Sequence, residues 1–221
     1  MNKYTSDKLL IENYLKIKKF LGHIPSISDM AYHSNYPVSL YLKKYETWHN
    51  FLKNMNDLIS LQKNYSNIIL DFFKFIEQTK ITKSYKMGVL LSIFKKNTEI
   101  KKYYSLTEIA IEFKEIYITS KLSCDLWEKK YIDITNWELS DYEKMILSYP
   151  IHYLTEKDKN SEFFIFRDNL FILNENLYTE LKNNTFIINE IIDRINYRNI
   201  CYFKQKYNID FNFWNIKKGE T

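Results

Sequence analysis

The sequence predicts a mainly α fold: an N-terminal helix-turn-helix-like unit followed by a larger helical domain that carries one small β-hairpin. Three observations predict it. The 221 residues include three glycines and three prolines, too few turn-formers for a loop-rich β architecture. Apolar side chains recur at three- and four-residue steps, as in Leu10, Tyr14, Ile17 and Leu21 or Ile188, Ile191, Ile192 and Ile195, the spacing that gathers them on one helix face. Helix-start signals stand where such stripes begin, and one pair of short apolar runs is separated by turn residues.

The first helix is predicted over Asp7 to Leu21. Lys16, Lys18 and Lys19 near its end suit the negative pole of the helix dipole. Gly22 suits the left-handed residue just past a helix end, and Pro25 stops the helix continuing. Ser26 with Asp29, or Ser28 alone, can cap a short second helix. Pro37 fits the first turn of a third, with Val38, Leu42 and Tyr45 at helical spacing. Trp48, Phe51 and Leu52 close the unit. Helices this short need partners to be stable, so a packed cluster of three or four is implied. The polar stretch from Met55 to Ser66 holds the junction, placing a unit of residues 1–60 ahead of a domain over 67–221.

In that domain, Asn67 to Gln78 is apolar and helical in length. Thr82 or Ser84 caps a buried helix ending near Lys95-Lys96. Ser105 and Glu108 have capping-box spacing ahead of the stripe Leu106, Ile109, Ala110, Phe113 and Ile116. Trp127, Tyr131, Ile134 and Trp137 fit either an aromatic-faced helix or a bent connector. The runs Glu162–Phe166 and Leu170–Leu173, separated by Arg167-Asp168-Asn169, predict the hairpin near 162–173. A final helix is expected over about 186–207, followed by an aromatic tail (Phe211, Phe213, Trp214) that docks back on the core.

Composition bounds the function. The formal net charge is +5, and residues 1–66 hold nine lysines against five acids while the remainder holds 23 basic and 22 acidic residues. Almost all the excess therefore lies in the first unit. A preference for lysine from AT-rich coding is the plain alternative, since 29 of the 32 basic residues are lysine. No glycine-rich phosphate loop occurs, so nucleotide-driven chemistry is not expected, and no cofactor is implied. Cys124 and Cys201 are too few for a disulfide framework or a cysteine zinc site. No apolar run approaches the ~20 residues that span a bilayer and no signal core opens the chain, so a soluble cytoplasmic protein without a membrane partner is expected.

The candidate binding residues centre on the third helix. In a helix-turn-helix the second helix of the pair lies in the major groove, with polar side chains at its start near the bases. Ser39 and Lys43 are one turn apart and share a face. Lys44 suits a phosphate, and Ser34 and Tyr36 stand at the preceding corner where a DNA backbone passes. Solvated lysines are the alternative. Further phosphate contacts are expected from Lys16, Lys19, Arg194 and Arg198. The last two also suit a structural ion pair with Asp193, Glu190 or Glu180. The histidines His23, His33, His49 and His152 fall on separate elements, so no metal site is expected. The pairs Glu99/Lys101, Glu112/Lys114 and Glu128/Lys130 have the acid-x-lysine form used by metal-dependent nucleases, but without an upstream acid on a strand to hold a metal.

Residues Leu21-Gly22 with Pro25 and Asp29, then Lys43-Lys44-Tyr45, Thr47-Trp48, Phe51 and Leu52, resemble the homing-endonuclease-associated (HNH-associated) repeat. That family is a small helical DNA-binding unit appended to nucleases. Where its members usually carry Phe-Gly-Ser-Trp, this chain has Tyr45-Glu46-Thr47-Trp48, so a glutamate replaces the turn glycine and lowers the local positive field. The run Thr82-Lys83-Ser84-Tyr85-Lys86-Met87, the helix after it and Ser105 to Tyr117 resemble a C-terminal accessory module of DEAD/DEAH-type helicases from restriction and phage-defence systems. Tyr149 to Leu154, Phe163-Phe164 and Arg194 to Arg198 continue that likeness, although motor motifs are missing. Together the resemblances imply a non-enzymatic, double-stranded-DNA-binding accessory or targeting component of a nuclease, restriction or mobile-element system, with a helicase or nuclease subunit as a protein partner. The rival expectations are a phage- or plasmid-encoded inhibitor or adaptor of a nucleic-acid enzyme, and a metal-dependent nuclease.

Overall fold

Helix α1 (Asp7–Leu21) ends at Gly22, whose φ of 73° is the left-handed conformation that lets its N–H reach back to the Lys18 carbonyl. The computed structural model describes residues 6–95, 100–126, 136–155 and 162–208. Ser26 and Asp29 close a reciprocal capping box at the start of α2 (Ile27–His33). Pro37 stands one position earlier than expected, as the residue before α3 (Val38–Tyr45), because its ψ of 135° is extended. Thr47 accepts from Asn50 N–H to cap α4 (Trp48–Asn54). These four helices bury one aromatic cluster. Phe51 is its centre, with ring centroids 4.9 Å from Tyr14, 5.1 Å from Tyr41 and 4.8 Å from Trp48. A carboxylate secures the outside: Asp57 accepts from the Tyr14 hydroxyl and the Lys18 ammonium, each at 2.5 Å.

The four-helix cluster does not stand alone. The last turn of helix α5 (Asn67–Gln78) carries Glu77, 1% exposed. One Glu77 oxygen accepts from the Trp48 backbone N–H at 3.1 Å, the other from Arg194 Nε at 2.8 Å. Arg194 is equally buried, its guanidinium 3.7 Å from the centre of the Phe73 ring. One turn on, Arg198 donates to the carbonyls of Glu77 and Thr79, satisfying the end of α5. Asp193 accepts from the Ile27 N–H and from the hydroxyls of Ser26 and Ser28, placing a carboxylate at the positive end of α2. These arginines were expected to meet phosphate or a neighbouring acid. Arg194 instead neutralises Glu77, and Arg198 is committed to backbone carbonyls, so neither is presented to a nucleic-acid phosphate in this structure.

A second unit is built around α6 (Tyr85–Phe94), buried along nearly its whole length. Ser84 precedes it, but the cap is Asp125: its carboxylate, fully buried, accepts from Ser84 N–H at 2.6 Å, while the Ser84 hydroxyl meets that of Tyr117. Strand β1 (Tyr103–Ser105) leads into α7 (Leu106–Thr119), which opens with the expected Ser105/Glu108 capping box. Phe113 and Tyr117 stack at 4.0 Å on one side of α7. Gly88 of α6 faces that stack so closely that a Cβ there would come within 2.6 Å of both rings. Helix α8 (Leu139–Ile146) runs into a wider turn over Leu147–Ile151, containing Pro150, and then α9 (His152–Thr155). Strands β2 (Phe164–Arg167) and β3 (Leu170–Leu173) turn at Asp168 and Asn169, with φ of 52° and 58°. β1 adds to β3, giving an antiparallel sheet in the order β1-β3-β2. Helix α10 (Glu175–Leu181) precedes α11 (Thr185–Tyr207).

The fold is mainly α. Its division differs from a cut at 60–67: the chain partitions into residues up to Thr79 together with those from Asp193 onward, and Lys80–Ile192. The polar stretch after α4 is not a boundary because Asp57 and Glu77 bind it and α5 to the preceding helices. The aromatic tail and residues 127–135 lie outside the described residues.

A buried pair is held mainly by the cost of leaving one charge alone. Arg194→Met is expected to destabilise by about 3–5 kcal/mol, and adding Glu77→Gln to recover at least half of that, measured by urea denaturation. Gly88→Ala is expected to cost about 1–3 kcal/mol in the same assay, because Phe113 and Tyr117 must move to admit a methyl group.

Candidate functional site

The corner between α2 and α3 is locked by one hydroxyl. Ser34 Oγ accepts from Asn13 Nδ2 at 2.7 Å and from Tyr36 N–H at 3.0 Å, and donates to the Tyr36 carbonyl at 2.7 Å. Asn13 also donates to the Tyr41 hydroxyl, which donates onward to the Leu10 carbonyl. α1 therefore holds both the corner and the first turn of α3. Ser34 and the backbone of Tyr36 act as positioning groups here. The Ser34 hydroxyl is engaged inside the unit and not presented to a ligand.

Beyond the corner, Ser39 and Lys43 are exposed one turn apart on α3, and Lys43 has no ion pair with a described residue. Lys44 points to the other side, where its ammonium lies 2.9 Å from Asp7. Tyr45 donates to the other Asp7 oxygen at 2.5 Å. That hydroxyl first, and Lys44 second, hold the Asp7 carboxyl below the usual aspartate range. Burial, then the Asp7 carboxylate, pushes Tyr45 up to about 12. Both members of the Lys44–Asp7 pair are more than two-fifths exposed, so the contact is worth at most about 1 kcal/mol. Lys16 and Lys19 are exposed on α1.

α3 and α4 are joined by a constrained turn. Glu46 has φ 68° and ψ −46°, and Thr47 N–H bonds back to the Tyr45 carbonyl at 2.8 Å. This is a γ-turn with positive φ, a strained conformation for a residue with a Cβ. The Gln78 amide fixes its carbonyl at 2.7 Å, and Lys74 meets its carboxylate at 3.5 Å. The turn thus has a glycine-like backbone under a glutamate.

Asn13, Asp7 and Phe20 carry no motif in the sequence. Asn13 and Asp7 act through residues 21 to 38 positions away, beyond any local pattern. Phe20 lies off the Leu10–Tyr14–Ile17–Leu21 stripe, which marks an exposed aromatic in advance. Of the acid-x-lysine pairs, Glu112 and Lys114 sit on α7, with Lys114 5.5 Å from the Tyr142 ring. Glu99, Glu128 and Lys130 lie outside the described residues. Among the described residues no three of His, Cys, Asp and Glu gather as a metal site, and no helix is long and apolar enough to cross a membrane.

A capped short helix, a fixed corner and a second short helix with outward lysines define a compact helical-repeat unit. Residues 5–56 match the family model described as homing endonuclease associated repeat. The chain has no match among curated proteins or among solved structures. The likeness of the second unit to a helicase accessory module gains no support from these comparisons.

If the Glu46 turn stores strain, glycine should release it. Glu46→Gly is expected to stabilise by about 1 kcal/mol despite the lost contact with Lys74, seen as a higher urea midpoint at unchanged slope.

Proposed function

We propose that this chain binds double-stranded DNA without acting on it, as an accessory or targeting component of a nuclease-linked system. The observation that carries this reading is the outward face of α3. Ser39 and Lys43 project from a helix whose start is fixed by the Asn13–Ser34–Tyr41 bonds, inside the segment that matches the nuclease-associated repeat. A pre-positioned helix loses little freedom on entering a groove. Lys44 fits the same reading, because a phosphate can replace Asp7 as its counter-charge at small cost in a solvated pair. Lys43 thus supplies the groove contact, and Lys44 with Lys16 and Lys19 supplies charge for the backbone.

A second reading, an adaptor that grips a nucleic-acid enzyme, is favoured by a different surface. Tyr103 and Ile165 flank Ile172 in one row across the sheet, and the two outer side chains are about half exposed. The readings separate on DNA affinity: the adaptor binds a partner protein and little DNA.

Lys43→Glu combined with Lys44→Glu is expected to abolish duplex binding while leaving the thermal melt within a few degrees of wild type. Lys44→Ala alone should reduce the slope of log affinity against log salt by about 1. Duplex binding by the double variant equal to that of the wild type would end the assignment of α3.

A further inference from the structure

Phe20 is the most exposed large apolar side chain among the described residues, at 76%. A lone exposed phenylalanine needs no explanation, but this one is part of a group. Its ring lies 5.7 Å from that of His33, which lies 4.8 Å from that of Tyr32, itself 41% exposed. The three rings, inclined at 59° and 79° to their neighbours, form a stepped aromatic platform where the C-terminal ends of α1 and α2 meet. Lys16, one turn before Phe20, and Lys19, beside it, are exposed and have no ion pair with a described residue. Glu12, on the same side of α1, lies 3.9 Å from Lys8.

Position adds to composition. His33 immediately precedes Ser34, so the platform adjoins the corner from which α3 departs. Asn13, which holds that corner, precedes Lys16 by three residues and Phe20 by seven along α1. Phe20 thus stands on the helix that fixes the corner, and its His33 neighbour is the residue before it.

Two chemistries could cover such a platform. An apolar protein surface would remove the ammonium groups of Lys16 and Lys19 from water without a counter-charge, which is costly. A nucleobase on its phosphate-linked backbone supplies a flat π-face for the ring and anions for both lysines. We infer that the Phe20–His33 platform stacks an unpaired base of DNA, so that the unit prefers a duplex carrying a single-stranded extension over a blunt one. This rests on the groove reading of α3, to which it adds the form of DNA preferred.

The test uses the full chain with two fluorescein-labelled probes at low salt, read by anisotropy: a blunt duplex, and the same duplex with a short thymidine overhang. Wild type is expected to favour the overhang by about tenfold, the scale of one stacked base. Phe20→Ala should remove that preference and leave blunt-duplex affinity unchanged, whereas Phe20→Trp should keep it. A 2-aminopurine at the first unpaired position should report stacking with wild type and not with Phe20→Ala. Equal affinity of wild type for both probes, or a preference that survives Phe20→Ala, would overturn the inference while leaving the groove reading standing. Blunt-duplex binding that is indifferent to Lys43→Glu would remove the groove reading instead, and no binding of either probe would remove both. A dimer of the wild type that Phe20→Ala converts to monomer, with DNA binding unaltered, would assign the platform to self-association and overturn the inference.

Discussion

The first unit depends on one buried charge. Glu77 sits in an environment with almost no access to water, and an isolated carboxylate there would be protonated or expelled. It remains as an ion-pair partner because each of its oxygens has a donor: Arg194 on one, the Trp48 backbone on the other. The Trp48 N–H is an orphan donor of the first turn of α4, so the same carboxylate that neutralises Arg194 also starts that helix. The Arg194 guanidinium is in turn stacked on Phe73. A pair of this kind adds little net stability relative to an apolar substitute, but it penalises any arrangement that separates its members. The first four helices are thereby tied to α5 and α11 in one register.

What was legible in the sequence is local chemistry. The left-handed residue after α1 called for Gly22; the serine-x-x-acid boxes at Ser26 and Ser105 mark helix starts because a side-chain oxygen must satisfy free N–H groups. The turn at Asp168 and Asn169 needs residues that tolerate positive φ, and both do. What was not legible is chemistry at a distance. Arg194 stands beside Asp193 in sequence and one turn before Arg198, yet the partners of both lie at the end of α5, 117 to 121 positions away. β1 is three residues long and has no identity until it pairs with β3. Ser84 and Ser34 read as polar residues at a helix start and a corner, but both hydroxyls turn inward, to Tyr117 and to the Tyr36 backbone.

The candidate site shows how the same residue types are sorted by what faces them. Lys18 and Lys44 are both near the end of a helix and both meet an aspartate, at 2.5 and 2.9 Å. Lys18 shares Asp57 with the Tyr14 hydroxyl in a partly buried contact, so its charge belongs to the framework. Lys44 is nearly half exposed and can exchange partners. Lys16, Lys19 and Lys43 complete the series with no carboxylate of their own among the described residues. The positive excess of the first part of the chain therefore divides into a fraction that holds helices together and a fraction directed outward.

The partition of the chain has a consequence for its birth on the ribosome. Asp193, Arg194 and Arg198 emerge only after the whole of residues 80–192 has been made. Until then Glu77 has no guanidinium, the α2 N-terminus lacks its distant carboxylate, and the carbonyls at the end of α5 remain open. The front helices have their own buried cluster, Leu10 to Leu58, to which the later chain adds Tyr197. Helix α11 completes the first unit, so a chain terminated before Asp193 would contain every residue of the segment that matches the repeat and still lack the clasp that holds it.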